Sequence, residues 1–368
     1  MKKLGLILLM ACVLLSATFG ATSALVNGAV SAVKDDASYV MDVLDWDKAS
    51  FGKFFGFTSI NSTSTLNFLG AQHLKGGNLA YSYNGNLWGE GVVDTYSAFY
   101  GKGNKGFLFS LGTNSSDSWT VNGNVLEDYK YITPNFTFGI ETSDKLSFIA
   151  GFGLISRTGN SEQELLGNKI LTKGSEMIPS LDLGAYYTIK DTNKLFARAG
   201  LIYSGDFDST KIATYLNGAE ESVVKVSANS NTLTLRGTLE YKPTDRFTYG
   251  LRVNFPQITF GNEKDADGNE TKDPTVMSFS MSNGFIAEVA PDRFFVSMGI
   301  NTYLPSLTFE KDQDMEKGTI RNYYYMGMAF CLTPQVRIDG YTSIEPVDGI
   351  SLQTVWETKM ALTVSIKM

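Results

Sequence analysis

A strict alternation of apolar and polar residues, which runs through most of the chain after Thr133, limits what this sequence can fold into more than any other feature. A period of two places every other side chain on one face of a β-strand, whereas an amphipathic helix needs apolar residues three and four positions apart. The apolar positions occur in these segments: Leu146 to Leu154, Leu181 to Ile189, Leu195 to Tyr203, Leu233 to Tyr241, Phe247 to Phe255, Met277 to Val289, Phe294 to Ile300 and Met360 to Met368. The pattern predicts an all-β, antiparallel fold.

Connections between these segments come in two lengths. Short polar connections that contain Asp, Asn, Thr or Pro, residues that favour tight turns, occur at Thr142 to Lys145, Lys190 to Asn193, Lys242 to Asp245, Ala290 to Asp292 and Thr333 to Gln335. Longer polar stretches lie between them, and the sequence predicts loops at Ser156 to Ser175, Gly205 to Ser230, Gly261 to Asp273, Lys311 to Gly318 and Glu345 to Gly349. Tight turns and long loops therefore alternate along the chain.

Short turns at one end and long loops at the other are typical of an outer-membrane β-barrel. In hydrocarbon every backbone N–H and C=O needs an internal partner, which only a helix or a closed barrel provides. Tilted strands of about 9 to 11 residues cross a bilayer, and Leu195 to Ser204 and Thr232 to Lys242 have that length. The sequence therefore predicts a transmembrane antiparallel up-and-down β-barrel. A soluble β-sandwich is the rival fold, but it gives no reason for short turns at one end only.

The strand count follows from the turns. Two strands at each of five tight turns and a last one at Ile350 to Met368 make eleven. Leu66 to Leu74, Asn78 to Trp88 and Lys105 to Thr113 supply three more, so we predict about fourteen strands. Tyr96 to Tyr100 and Ser118 to Asn122 are weaker candidates, and the range is twelve to sixteen.

The N-terminal part of the chain differs from the rest. Residues 1–24 combine a basic head, an apolar run and small residues before Ala24, which predicts a signal peptide for export. A lipoprotein cleavage box at Cys12 is a weaker alternative, because the apolar run continues past it. Residues 25–62 show helical spacing followed by a phenylalanine cluster, which predicts a short periplasmic or plug segment. Residues 63–368 form the predicted barrel.

Charge and cysteine content exclude several classes of protein. Without Lys2 and Lys3 the exported chain has 29 basic and 38 acidic residues, so nucleic acid is not an expected partner. Only Cys331 remains after cleavage, which excludes an intrachain disulfide, and His73 is the only histidine. No motif for catalysis, phosphate binding or metal binding is present, so we expect neither an enzyme nor a cofactor. Asp265, Asp267 and Asn269 have oxygen ligands at alternate positions, but a solvated acidic loop is favoured over a calcium site.

The alternating segments together resemble Gram-negative-type outer-membrane β-barrels. Such barrels end in an alternating strand with a terminal aromatic residue that the barrel-assembly machinery reads. Met360 to Met368 match the alternation, although the last residue is Met. Fourteen strands behind an N-terminal plug also resemble the architecture of the long-chain fatty-acid transporter family. The resemblance implies outer-membrane lipid and the assembly machinery as partners.

If the apolar register faces lipid, the opposite register lines the lumen. Arg or Lys facing lipid at the midplane would cost on the order of 2–4 kcal/mol, and the charged or polar residues indeed keep to the other register: Asp182, Arg198, Arg236, Glu240, Arg252, Asn254, Glu288, Asn301, Arg337, Asp339 and Lys359. Each one alone could simply pair within a filled interior. The set favours a pore, because about fourteen strands enclose more space than side chains fill.

Aromatic residues near strand ends complete the pattern. Rings at the level of the lipid headgroups form the girdles of such barrels, and the candidates are Tyr187, Tyr203, Tyr241, Phe247, Tyr249, Tyr303 and Trp356. A role in sugar binding is a weaker interpretation of the same residues. The sequence therefore predicts an outer-membrane channel for passive diffusion of small polar solutes. A plugged barrel that transports hydrophobic compounds such as fatty acids, and a surface-exposed adhesin-type barrel, remain as alternatives.

Overall fold

The computed structural model describes residues 54–58, 65–74, 77–86, 94–102, 104–121, 124–165, 168–304, 306–309, 320–333, 336–346 and 356–367. Eighteen strands lie in a single sheet. In chain order they are β1 (Phe54–Thr58), β2 (Thr65–Leu74), β3 (Gly77–Asn86), β4 (Asp94–Lys102), β5 (Lys105–Val121), β6 (Asn124–Ser143), β7 (Leu146–Leu165), β8 (Asn168–Asp191), β9 (Leu195–Leu216), β10 (Ala219–Thr244), β11 (Phe247–Lys264), β12 (Glu270–Lys272), β13 (Thr275–Ala290), β14 (Phe294–Tyr303), β15 (Leu307–Phe309), β16 (Arg321–Cys331), β17 (Val336–Pro346) and β18 (Trp356–Lys367). No helix in these ranges is long and apolar enough to cross a membrane.

Every ladder of the sheet is antiparallel, and long strands pair with their neighbours in sequence. The ladders run from β2 through β11 to β13, β14, β16, β17 and β18. Short β12 and β15 pair with β11 and β13. Between the described residues of β1 and β2 no ladder closes the ring.

The predicted all-β, antiparallel fold is confirmed. Three of the eighteen strands have five residues or fewer, and the fifteen that remain fall within the predicted range of twelve to sixteen. Asp94–Lys102, part of which the sequence predicts only weakly, is a full strand. Phe54–Thr58 pairs with β18, so these residues of the predicted N-terminal segment belong to the sheet. The predicted signal peptide and residues 25–53 lie outside the described residues.

Four of the predicted tight turns join strand ends as expected, at Thr142 to Lys145, Lys190 to Asn193, Lys242 to Asp245 and Ala290 to Asp292. Side-chain hydroxyls close two of them. The backbone N–H of Leu195 donates to Oγ1 of Thr192 at 3.1 Å, and the N–H of Leu146 donates to Oγ of Ser143 at 3.1 Å. These bonds explain why Ser and Thr recur at this end of the sheet.

The predictions of long loops at Ser156 to Ser175 and Gly205 to Ser230 are wrong. Strands β7, β8, β9 and β10 continue through both stretches, and the β9–β10 hairpin closes at Asn217 and Gly218. Both residues have positive φ, 48° and 88°, as the tightest hairpin turns require. The side chain of Asn217 also accepts a hydrogen bond from the N–H of Lys169 at 2.9 Å, which ties the hairpin tip to β8.

Candidate pore lining and its charges

The sheet has an apolar face and a polar face, which differ in exposure. Residues directly opposite one another in a ladder share a face, and on the apolar face Leu183, Leu201 and Leu235 are 44%, 50% and 48% exposed. On the polar face Tyr186 and Glu240 are only 7% and 6% exposed. Side chains converge on the inner face of a curved sheet, so we assign the polar face to the interior.

Three arginines of the polar face lie on adjacent strands. Arg198, Arg236 and Arg252 come from β9, β10 and β11, three to eight residues from the tight-turn ends of those strands. Nε of Arg236 donates to Oδ1 of Asn254 at 2.8 Å. Nδ2 of Asn254 in turn donates to Oγ of Ser280 at 2.9 Å. The neutral amide and hydroxyl fix Arg236 against the wall without cancelling its charge.

Carboxylates follow farther along the same face. Asp182, Asp206 and Asp208 lie nine to thirteen residues from the tight-turn ends of β8 and β9. Oδ1 of Asp182 accepts a hydrogen bond from Oγ of Ser204 at 2.5 Å, and Oδ1 of Asp208 accepts one from Oγ1 of Thr210 at 3.2 Å. The described wall is therefore positive nearer the tight turns and negative nearer the opposite end.

An ion pair lies beyond these aspartates. Nη1 of Arg157 is 2.7 Å from Oε2 of Glu176, and the two side chains are 31% and 10% exposed. The guanidinium carbon lies 5.5 Å from the ring centroid of Tyr131, a cation–π distance. Oγ1 of Thr210 lies 3.5 Å from Oε1 of Glu176. This pair joins β7 to β8 on the inner face.

Carboxylates at the tight-turn end have cations of their own. Nζ of Lys242 is 2.8 Å from Oε1 of Glu240, and Nε of Arg246 is 4.0 Å from Oε2 of Glu288. Glu288 also accepts a hydrogen bond from the backbone N–H of Asp292. Glu240 and Glu288 therefore pair with cations of the turns, Lys242 and Arg246.

Glycines next to Tyr186 let its ring lie flat on the inner wall. A Cβ on Gly200 would come within 2.6 Å of the Tyr186 ring, and one on Gly184 within 2.8 Å. Such distances are shorter than any carbon–carbon contact allows, so the ring occupies space that only glycine leaves open. A Cβ on Gly237, by contrast, would have nothing within 4 Å apart from its neighbours in the chain.

The predicted lumen residues can be followed through the ladders. Asp182 lies opposite Ser204, Asn254 opposite Arg236, and Asn301 opposite Ser282. The same ladders place these further predicted residues on the polar face: Arg198, Glu240, Arg252 and Glu288. For three more only the strand position is described, and they are Arg337, Asp339 and Lys359.

The predicted girdle residues divide between the faces. Tyr187 and Tyr241 are on the apolar face, 49% and 47% exposed, and the Phe247 ring stacks on Phe285 with centroids 5.6 Å apart. Tyr303 lies opposite Ser280, so the assignment of Tyr303 to the outer girdle is wrong. It follows Asn301 by two residues and shares its polar face.

The three other members of the predicted girdle lie on β9, β11 and β18. Tyr203 donates its hydroxyl hydrogen to Oδ1 of Asn231 at 2.6 Å. Tyr249 lies opposite Tyr241 and Phe285 in the two ladders of β11. For Trp356 the structure describes the strand position alone, at the start of β18.

The acidic loop after β11 folds around one carboxylate. Asp265 accepts hydrogen bonds from the backbone N–H groups of Asp267 and Asn269 at 2.9 and 2.8 Å. The side-chain amide of Asn269 adds a third at 3.0 Å. These bonds lower the pKa of Asp265 below its ordinary value of 3.8, since they stabilise the charged form. The carboxylate organises the turn, and no group of His, Cys, Asp or Glu in the described ranges is arranged to hold a metal ion.

No protein-family model matches the sequence, and no curated protein matches it. Among solved structures the chain is similar to outer-membrane β-barrels. A Pseudomonas aeruginosa FadL homologue matches over 85% of this chain and 89% of its own, with 14% identity and a TM-score of 0.46. The Ralstonia pickettii toluene transporter TbuX matches over 95% of this chain and 97% of its own, with 10% identity and a TM-score of 0.43. The ferric citrate transporter FecA matches over 85% of this chain and 56% of its own, with 8% identity and a TM-score of 0.43.

Sequence reasoning missed the charged residues of the polar face that lie far from the tight turns. Glu176, Asp206 and Asp208 belong to no predicted site, because the loop predictions cover or adjoin the stretches that contain them. Their spacing carried a usable signal, since Asp206, Asp208 and Thr210 continue the register of Ser204 without a break.

Proposed function

We propose that this protein is an outer-membrane channel for small polar and charged solutes. The observation that carries the proposal is the combination of an exposed apolar face with an inner face of charged and amide side chains. Leu183 and Leu201 lie on the outside, while Arg236, Asn254 and Ser280 form a hydrogen-bonded row on the inside. An apolar exterior suits hydrocarbon, and a polar interior suits water and ions.

Strand length supports the same location. The strands β8, β9 and β10 have 24, 22 and 26 residues, whereas about 9 to 11 residues are enough to cross the bilayer. The excess lies on the side away from the tight turns. In outer-membrane barrels the short turns face the periplasm, so the extensions of these strands project from the cell surface.

A second candidate, transport of hydrophobic compounds, is favoured by isoleucines on the inner face. Ile155 lies opposite Ile178, and Ile149 and Ile202 both lie opposite Gly184. Ile149 and Ile202 lie nearer the tight turns than Asp182, whereas Ile155 and Ile178 lie beyond it, so apolar side chains interrupt the charged wall at two levels. An apolar solute would find its contacts there, and a plug formed by residues 25–53 would keep the pore closed to ions.

Single-channel recording on the folded, full-length protein in a planar bilayer tests the proposal. Steady stepwise conductance is expected, and its absence at high protein loading would refute the channel. Conductance that appears only after deletion of residues 25–53 would instead favour the plugged transporter.

Ion selectivity tests the role of the wall itself. In a KCl gradient R198Q/R236Q/R252Q should shift the reversal potential toward cation preference, because it removes the positive part of the wall. The variant D182N/D206N/D208N should shift it the opposite way. Reversal potentials that both equal the wild-type value would show that these residues do not line the ion path.

A further inference from the structure

Three lysines of the outer face form a compact group, which we call the lysine patch: Lys173, Lys211 and Lys225 on β8, β9 and β10. All three are exposed. Lys211 lies directly opposite Lys225 in one ladder and opposite Ser175 in the other, and Lys173 is two residues from Ser175. The register of both ladders continues without a shift to Leu183 and Leu233, so the patch shares the apolar, outward face of the sheet.

The arrangement of charges in the lysine patch is unfavourable for the protein alone. Residues directly opposite across an antiparallel ladder have Cβ atoms about 5 Å apart, and like charges there repel. No carboxylate of the described residues is within 4.0 Å of Lys173, Lys211 or Lys225, although Lys169 nearby pairs with Glu162 at 2.6 Å. Two glutamates border the patch on this face, but Glu162 is paired with Lys169 and Glu220 accepts a hydrogen bond from the Tyr215 hydroxyl at 3.4 Å. A counter-charge from outside the chain would relieve the repulsion.

The position of the lysine patch relative to the apolar face identifies that counter-charge. Met177 and Phe207, 50% and 42% exposed, are the last large apolar side chains on this face of β8 and β9 before the patch. Lys211 lies four residues beyond Phe207. At a rise of about 3.4 Å per residue and a tilt of about 45°, that distance is about 10 Å along the membrane normal. The headgroup layer of a bilayer adds about 5 to 8 Å on each side of the hydrocarbon, so lysine side chains reach its phosphates.

Groups around the three ammonium ions complete a surface suited to phosphate. Nζ of Lys173 lies 5.4 Å from the ring centroid of Tyr215, which holds this long side chain against the sheet. Ser175 lies between Lys173 and Lys211 on the same face, and Ser227 follows Lys225 by two residues. Ammonium and hydroxyl groups donate hydrogen bonds to phosphate oxygens, and flexible lysines adapt to headgroups in different positions.

We infer that the lysine patch binds the phosphate groups of the lipid in the leaflet around the long-strand end of the sheet. This inference goes beyond the proposed channel and shares with it only the outward placement of the apolar face. For a chain in the outer membrane that leaflet is the outer one, so the partner is a phosphorylated glycolipid. The patch would fix the depth of the barrel in the membrane through contacts outside the pore.

The test uses full-length protein folded in a zwitterionic detergent and titrated with diphosphorylated lipid A, with binding followed by native mass spectrometry. For K173Q/K211Q/K225Q we expect a loss of affinity on the order of a hundredfold, given the usual contribution of single lysines at an anionic surface. Dephosphorylated lipid A should bind wild type no better than this variant does. Equal binding of the two lipids to wild type would overturn the inference.

A matched control removes the same charge elsewhere. K145Q/K190Q/K194Q changes three exposed lysines at the tight turns and should bind lipid A as the wild type does. If the two triple variants bind equally, the lysine patch is not the site. Inorganic phosphate that competes as well as the lipid, mole for mole, would show a site for free anions and would also overturn the inference.

A single substitution keeps the test decisive if the triple variant does not fold. K211Q removes the lysine that faces Lys225, so it should raise the urea midpoint of unfolding in lipid-free detergent, because it relieves repulsion. In the presence of lipid A the same change should remove most of the stabilisation that the lipid gives wild type. Equal stabilisation of K211Q and wild type by the lipid would contradict the proposed contact.

Discussion

The ion pair between Arg157 and Glu176 predicts a strong asymmetry between its two single substitutions. R157M leaves the Glu176 carboxylate, whose side chain is only 10% exposed, without its cation. Removing one partner of a buried pair costs about 3–5 kcal/mol. Arg157 itself is 31% exposed, so water already screens part of the interaction, and we expect a loss of about 2–3 kcal/mol in the free energy of unfolding.

The converse substitution should cost less. E176Q keeps the shape of the side chain. It leaves Arg157, the more exposed partner, in contact with water inside the proposed pore. We expect a loss of about 1 kcal/mol or less, because a partly exposed ion pair contributes little net stability. The double variant R157M/E176M should recover most of the loss of R157M, since two apolar side chains of similar volume replace a buried pair at little cost.

The measurement is urea unfolding from lipid vesicles, followed by tryptophan fluorescence, with coincident folding and unfolding curves. Heat-modifiable migration in SDS gels provides an independent check that each variant folds. An R157M value within about 0.5 kcal/mol of wild type would refute the reasoning, because that is the size of ordinary surface substitutions. So would a double variant no more stable than R157M.

Two further predictions concern single positions. G200A should lower the free energy of unfolding by about 1–3 kcal/mol, because its Cβ would meet the Tyr186 ring at 2.6 Å. G237A is the control in the same urea assay, and it should change the free energy of unfolding little because the space around Gly237 is open. The hydrogen bonds to Asp265 lower its pKa in the folded protein. Its contribution to loop stability is therefore present above the unfolded pKa and is lost as pH falls through the folded pKa. A carboxyl-carbon NMR titration of Asp265 should give a midpoint below 3.8, and a midpoint above that value would contradict the assignment.

The tight-turn half of the fold could be predicted from the sequence because two signals coincide there. Leu195, Ala197 and Leu201 alternate with small or polar residues, and Thr192 and Asn193 mark the turn. Lipid requires apolar residues on one face, so the pattern is strong wherever a strand crosses the membrane. The polar register then follows, and the ladders place Arg198, Arg236 and Arg252 together on one face of the sheet.

The other half escaped prediction because neither of its faces is predominantly apolar. From Asp206 to Thr214 polar residues occupy both registers, so hydrophobicity no longer distinguishes strand from loop. The Asn217-Gly218 pair was a hairpin signal that could have been used, since both residues tolerate the positive φ that such turns need. Tyr303 shows a second limit, because its aromatic ring near a strand end suggested the girdle, whereas the period of two places it on the same face as Asn301.

The β9–β10 hairpin has a consequence for how this chain can change over time. Its arms pair almost without interruption from the tight-turn end to Asn217 and Gly218. A single inserted residue would turn every side chain beyond it to the opposite face, moving Asp206 outward or Lys211 inward. Unless a bulge such as the one between Glu220 and Ser222 absorbs the extra residue, the hairpin grows or shrinks in matched steps, two residues in each arm. The height of this surface projection is thus expected to differ among descendants by whole periods of the strand, with the charges of its two sides left in place.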